Sequence, residues 1–188
     1  MRRKLSGAFL VSALAVALLS ASVTACTSIP TGRLASVDGS VMTSHTDDCG
    51  YCDPILYYRP AADYSEGAMR EVYSGHGFRS IGDSRYSLPD LRGEIPQVAH
   101  TYAYFEGSYG IMNEHQVALG ETTTGGRREL RNADAWFNIV SLSQVALERA
   151  TTAREAIQIM GEIAEEYGYC DSGECLTVAD ANEVGTGR

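Results

Sequence analysis

Cys26 is the residue whose position in this chain most directly predicts chemistry. Residues 1–4 form a basic start, residues 5–20 an apolar run, and residues 23–25 a small-residue pattern of the kind that signal peptidases cut after. We therefore predict that residues 1–25 are a signal peptide and that the protein is exported. Cleavage leaves Cys26 at the N-terminus, where it carries both a thiol nucleophile and an α-amine base with a pKa of about 7.7–8.0.

The same segment has a second interpretation, as the lipid-attachment motif of a bacterial lipoprotein. Residues 23–26 fit that motif, in which the cysteine is joined to a lipid that anchors the protein to a membrane. Because lipidation consumes the thiol, the two interpretations exclude each other. In both cases the protein is expected to be secreted, periplasmic or on the cell surface, with a membrane as partner only if Cys26 is lipidated.

The charge of the chain argues against a nucleic-acid partner. The full sequence of 188 residues has a net charge of −9, and removal of the three basic residues of the leader takes this to −12. Lys4 is the only lysine, so the mature chain has no basic cluster to neutralise phosphates. Residues 26–188 are long enough for a single domain with its own core, and we predict one domain there.

Four cysteines remain when Cys26 is set aside. An even number in an exported protein favours a disulfide framework, although three pairings are possible and the sequence does not choose among them. Free or partly paired thiols, a Cys-x-x-Cys redox pair and a four-thiolate zinc site are the alternatives. No other metal-ligand spacing occurs, and we predict neither a cofactor nor a metal. The four residues are Cys49, Cys52, Cys170 and Cys175.

A sheet and two helices are predicted to position Cys26. Alternating apolar residues and turn signals predict strands at 27–32, 41–46, 55–59, 98–105, 117–123 and 175–180. An apolar stripe predicts one helix over 133–149, and a capping box opens a second at 152 that ends at Gly168. Residues 63–97 lack a sustained period and are expected to be surface coil rather than a loop over substrate. The order of elements predicts an α+β fold.

Several stretches together resemble the N-terminal-nucleophile cysteine hydrolases, and most of all the dipeptidase A family with its exported members. The resemblance implies an αββα sandwich that presents Cys26 at the end of a strand, amide hydrolysis through a thioester, and dipeptides or short peptides as substrates. It favours a free Cys26 over a lipidated one. The stretches are 26–27, the turn at 35–40 with its strand to Asp48, 112–116 with 120–123, 150–156, 166–169 and 179–183.

The resemblance also implies roles for two further residues. Asp48 matches an acidic residue beside the nucleophile, where a carboxylate would hold the α-amine by a charge-assisted hydrogen bond. Asn113 matches an asparagine whose amide donates to the developing oxyanion. The alternative for each is a local turn residue. Asp47 ranks below Asp48 on register alone.

The chain departs from the family pattern in two places. His45 stands where many relatives have an arginine, and a histidine cannot replace a bidentate guanidinium, so we expect it to pack on its strand. Members of the family are also considerably longer, so we expect residues 26–188 to be a truncated domain with an incomplete sandwich. The alternative functions are an amidase of the same class that acts on N-acyl amines, and a non-catalytic lipoprotein.

Overall fold

The structure is a computed structural model, which describes residues 26–48, 55–74 and 90–187. It confirms the α+β class, with antiparallel strands and two helices. The strands are β1 (Ser28–Thr31), β2 (Met42–His45), β3 (Tyr57–Arg59), β4 (Ala62–Asp63), β5 (Met69–Ser74), β6 (Asp90–Pro96), β7 (His100–Thr101), β8 (Tyr104–Glu106), β9 (Gly110–Asn113), β10 (Ala118–Gly125), β11 (Gly173–Ala179) and β12 (Val184–Gly187). The helices are α1 (Ile139–Arg149) and α2 (Ala153–Tyr167), and Arg128–Leu130 form a short 3-10 helix.

A six-stranded sheet in the order β12-β11-β10-β9-β8-β3 is the centre of the fold. Its longest pairing joins β10 to β11, from Ala118 opposite Ala179 to Gly125 opposite Gly173. The β1–β2 hairpin lies against β10, where the hydroxyl oxygens of Ser28 and Thr122 are 2.7 Å apart. This contact places the residues just before β1 next to the central sheet.

Helices α1 and α2 cover part of the sheet and close the core. Asn138 caps α1, because its side chain accepts from the backbone N–H of Ser141 at 2.9 Å while the Ser141 hydroxyl accepts from the Asn138 N–H at 3.2 Å. Nine of the eleven residues of α1 are buried, as expected for a helix inside the fold. Thr152 and Gly168 cap α2, as the sequence predicted.

The first helix was predicted to begin at residue 133 and in fact begins at Ile139. Residues 133 and 134 form a turn instead, closed by the N–H of Ala135, which donates to the carbonyl of Asn132 at 3.1 Å. After it, Trp136 donates to the carbonyl of Tyr167 at 3.1 Å and Phe137 bridges to Tyr169. Apolar residues at helical spacing are thus used here for a tertiary contact. Two further strands were not predicted from the sequence. They are β12, which pairs with β11, and β9, which lies between the predicted strands 98–105 and 117–123.

The prediction of coil over residues 63–97 is wrong for two substantial strands. β5 and β6 pair as an antiparallel hairpin that buries Val72 and Ile95, and a bulge between Val72 and Tyr73 breaks the alternation. Arg70 in β5 makes two hydrogen bonds, of 2.6 and 2.8 Å, with the carboxylate of Glu148 in α1. A long-range ion pair of this kind leaves no local sequence signal.

Among the helices that the structure describes, none combines the length and apolarity needed to cross a membrane.

Two glycine substitutions test the packing of the sheet against the helices. A Cβ at Gly110 would lie 2.7 Å from Leu147 Cδ1 and 3.2 Å from the carbonyl oxygen of Ser143, so Gly110→Ala should lower the free energy of unfolding by about 1–3 kcal/mol. A Cβ at Gly161 in α2 meets nothing within 4 Å, so Gly161→Ala should raise it by about 0.5–1 kcal/mol. Urea denaturation of both variants measures the two values. Equal effects of the two substitutions would contradict this account of the packing.

Candidate active site

Cys26 lies two residues before β1 and is partly buried. Burial is the main reason that the pKa of its thiol is raised, and the charges of Glu121 and Asp47 raise it further. The backbone of Asp48 and the hydroxyl of Tyr109 act in the opposite direction and lower the pKa of the thiol. The thiol is therefore protonated at neutral pH, and attack on a carbonyl requires a base nearby.

The β1–β2 hairpin places Asp48 beside Cys26. Ser28 pairs with His45, and continuation of that register brings the residues before β1 opposite those after β2. Thr46 links the two sides, because its hydroxyl oxygen accepts from the N–H of Thr27 at 3.0 Å and lies 3.0 Å from Asp48 Oδ2. The structure thus brings Asp48 to the nucleophile, while its contact with the α-amine remains a prediction.

Asn113 has a different environment from the one its predicted role requires. Its Nδ2 donates to the carbonyls of Leu147 at 2.9 Å and Ala150 at 2.7 Å, and its Oδ1 accepts from the N–H groups of His115 and Val117 at 3.0 Å each. Both amide hydrogens are in use, so an oxyanion could be bound only by giving up one of these bonds. The role as an oxyanion donor remains a prediction, and the contacts give Asn113 a structural task between the β9–β10 turn and the end of α1.

His45 packs on its strand as the sequence suggested. Its ring lies 5.4 Å from the ring of Tyr109, and a Cβ at Gly120 would come within 3.3 Å of its Nδ1. The absence of a side chain at Gly120 therefore gives the imidazole room against β10.

Two residues of the site were missed by the sequence reasoning. Glu121 lies in a stretch that matched the family but was given no role, and it is almost completely buried. Tyr109 lies in the unassigned stretch before β9 and is also buried. Neither carries a local signal, because their importance comes from the distant segment that holds Cys26.

A second carboxyl group lies beside Glu121. Glu174 in β11 is diagonal to Glu121, since Glu121 pairs with Leu176 and Thr123 pairs with Glu174. Burial and the proximity of Glu121 raise the pKa of Glu174 to about 8, although a 3.0 Å hydrogen bond from Ser172 acts against the shift. None of the ion pairs found within residues 26–48, 55–74 and 90–187 involves either glutamate.

The remaining cysteines do not form the expected framework in the part of the chain that is described. Cys170 and Cys175 are both free thiols, and Cys49 and Cys52 lie outside the described residues. The described residues also contain no group of three or more His, Cys, Asp or Glu side chains that could hold a metal ion.

The thiol of Cys26 is partly buried just before the β1–β2 hairpin, and Tyr109 and several carboxylates affect its pKa. This arrangement defines a candidate site for thiol chemistry on an α+β fold. Comparison with known proteins agrees with this class. The chain belongs to peptidase family C69, whose model matches residues 25–186. It is also 25% identical over 172 residues to a "Probable dipeptidase" of Latilactobacillus sakei, an alignment that covers 86% of this chain and 34% of that protein. The alignment thus spans about a third of the length of this relative.

The raised pKa of Glu174 predicts a pH dependence of stability. Between about pH 4.5 and 8 the unfolded chain has lost this proton and the folded chain has kept it, so stability should fall as the pH rises and then level off. Glu174→Gln removes this titration, and the melting temperature of the variant should decline less than that of the wild type over this range. Differential scanning calorimetry at several pH values measures the slope.

Glu162→Gln, on the exposed face of α2, is the matched control and should retain the wild-type slope. A wild-type slope in Glu174→Gln would show that Glu174 is not the group responsible.

The contacts of Asn113 predict a loss of stability when its side chain is removed. Asn113→Ala leaves buried backbone donors and acceptors without partners, and we expect the free energy of unfolding to fall by about 2–4 kcal/mol. Thermal unfolding measures the change, and an unchanged melting temperature would argue that Asn113 is available for catalysis instead.

Proposed function

We propose that this protein is an exported cysteine dipeptidase with the αββα fold of N-terminal-nucleophile hydrolases. In this proposal residues 1–25, which lie outside the described residues, are a signal peptide, residues 26–188 belong to the peptidase domain, and cleavage leaves Cys26 at the N-terminus. The observation that carries the proposal is the thiol of Cys26 at the start of β1, against the backbone of Asp48, in a chain of a peptidase family.

The mechanism starts with proton transfer within one residue. The α-amine of Cys26 takes the proton from Sγ, and Sγ then attacks the carbonyl carbon of the scissile bond. The electron pair of the C=O bond moves to oxygen, and collapse of this intermediate expels the amine, which takes the proton from the α-ammonium. Water hydrolyses the thioester and regenerates the thiol. Burial and the nearby carboxylates raise the pKa of the thiol, so it is protonated at neutral pH. A base on the same residue can remove this proton before Sγ attacks.

Asp48 contributes by position rather than by proton transfer. Asp48 follows β2 at the end of the hairpin where Cys26 precedes β1, and its Oδ2 accepts a hydrogen bond from the Thr46 hydroxyl. In the mature protein the same carboxylate is proposed to accept from the α-amine of Cys26, which would fix the lone pair toward Sγ.

The lipoprotein alternative is less compatible with this environment. A lipid on Sγ would have to leave a partly buried position between the Asp48 backbone and the Tyr109 hydroxyl. The alternative of an amidase that acts on N-acyl amines uses the same catalytic residues and differs only in substrate.

The proposal predicts the state and the necessity of Cys26. Intact-mass analysis of the exported protein should show a chain that begins at unmodified Cys26. Cys26→Ser should reduce hydrolysis of a dipeptide panel by at least about 10³-fold, since the nucleophile is lost, and circular dichroism should show an unchanged fold.

Cys175→Ser removes a different free thiol and should keep wild-type turnover. A diacylglycerol mass on Cys26, or full activity of Cys26→Ser, would refute the proposed function. Hydrolysis of N-acyl amides in preference to dipeptides would support the amidase alternative.

A further inference from the structure

A cavity of about 340 Å³ lies between the two helices and β11. Its walls are mostly apolar, with Ile139 and Leu142 from α1, Met160 from α2 and Leu176 from β11. An engineered protein cavity of about 150 Å³ binds benzene, so this one has room for an apolar group larger than a benzene ring. The volume is also within the range of small-molecule sites, about 300–1,000 Å³.

The β11 wall of the cavity carries an acidic side chain. Glu174 lies two residues from Leu176 on the same face of β11, and both residues line the cavity. Glu121 of β10 pairs with Leu176, so its side chain is on this face too and is a diagonal neighbour of Glu174. A second carboxyl group therefore lies beside the one that lines the cavity.

The two carboxyl groups have no cationic partner in the described part of the chain. None of its ion pairs involves them, and α1 and α2 contribute no charged residue to the cavity wall. Burial and the neighbouring Glu121 raise the pKa of Glu174 to about 8, so a proton stands where a counter-ion is missing. The other groups around Glu174 are uncharged: they are the hydroxyls of Ser172 and Thr123, and the phenol of Tyr169.

Tyr169 adds an aromatic ring and a buried hydroxyl to the same cavity. Its backbone is fixed by the bridge to Phe137, and its hydroxyl oxygen makes no hydrogen bond with the described residues. A phenol oxygen can accept a hydrogen bond from an ammonium group, and the ring face attracts a cation. The polar groups of the cavity wall therefore match a positive charge better than a negative one.

We propose that this cavity binds an apolar amine, whose hydrocarbon part fills the space between α1, α2 and Leu176 and whose ammonium group pairs with the carboxylate of Glu174. The inference goes beyond the proposed function and requires no step at Cys26. On binding, Glu174 releases its proton to solvent and its carboxylate accepts hydrogen bonds from the ammonium. An anionic ligand would add a third negative group to the carboxyl pair, and a neutral one would leave the pair without a counter-ion.

2-Phenylethylamine and its uncharged analogue 2-phenylethanol test the inference, because the two probes share the same apolar part. Isothermal titration calorimetry at about pH 8 should show that the amine binds at least about tenfold more tightly, as expected for hydrogen bonds between charged groups. Equal affinities of the two probes, or no binding of the amine, would overturn the inference.

The pH dependence of binding is a second readout. An alkylamine keeps its proton up to about pH 10, as a lysine side chain does. Below about pH 8 the amine must displace the proton of Glu174, so its affinity should rise with pH and level off near pH 8. Titrations at about pH 6 in two buffers of different ionisation enthalpy should show release of about one proton per bound amine. Binding without proton release would contradict the pairing with Glu174.

Two variants separate the charge of the cavity from its space. Glu174→Gln keeps the shape of the side chain and removes its charge, so the affinity for the amine should fall about 10- to 100-fold while 2-phenylethanol binds as before. Gly161→Leu adds a side chain at a wall position where a Cβ meets nothing within 4 Å, so it should fill the cavity and weaken the binding of both probes. Glu162→Gln, at the next and exposed position of α2, is the matched control and should keep both affinities.

The outcomes separate this inference from the proposed function. Amine binding that survives both Glu174→Gln and Gly161→Leu, or that Glu162→Gln weakens to the same extent, would overturn the site. Since binding is measured without turnover, full activity of Cys26→Ser would refute the proposed function and leave this inference unaffected.

Discussion

The packing of the β1–β2 hairpin on β10 is the constraint on which the candidate site depends. Cys26 lies two residues before β1, a short strand of four residues with little buried surface of its own. The contact between the Ser28 and Thr122 hydroxyls and the fit of His45 over Gly120 hold that strand against the sheet. If this contact were lost, the thiol would move away from both Tyr109 and Glu121, and the polar environment of the nucleophile would no longer exist.

The buried glutamates of this fold have two kinds of environment: some are paired with an arginine, and others lie next to another glutamate. Glu148 is neutralised by Arg70, and the fully buried Glu106 receives Arg59 Nε at 2.6 Å and Gln144 Nε2 at 2.7 Å. These pairs join strands to α1 and serve the fold. Glu121 and Glu174 lie against each other instead, and the second keeps its proton at neutral pH. A carboxyl group with a strongly raised pKa, without a cationic partner among the described ion pairs, is typical of functional sites.

Asn113 illustrates how a matched motif and a three-dimensional contact can differ. The residue matched a family position with a catalytic role, yet its four hydrogen bonds are all made with backbone groups of the β9–β10 turn and of the C-terminal end of α1. Tyr109, which no motif indicated, is buried and is one of the groups that affect the Cys26 thiol. An oxyanion donor is defined by where its hydrogen points, and that direction depends on segments far apart in the sequence.

The sequence by itself determined the class of fold and the caps of α2, and it predicted Cys26 as the nucleophile. These follow from local patterns: alternating apolar residues, a capping box, a glycine with φ of +78° at residue 168, and a cysteine next to a cleavage pattern. Only the tertiary structure decided where α1 begins, that β5 and β6 form a hairpin, and which residues surround Cys26. Each of these depends on pairing between distant segments, such as Phe137 with Tyr169 and Arg70 with Glu148. Residue patterns report which side chains are apolar, but the partner of a buried polar group is fixed only when the chain has folded.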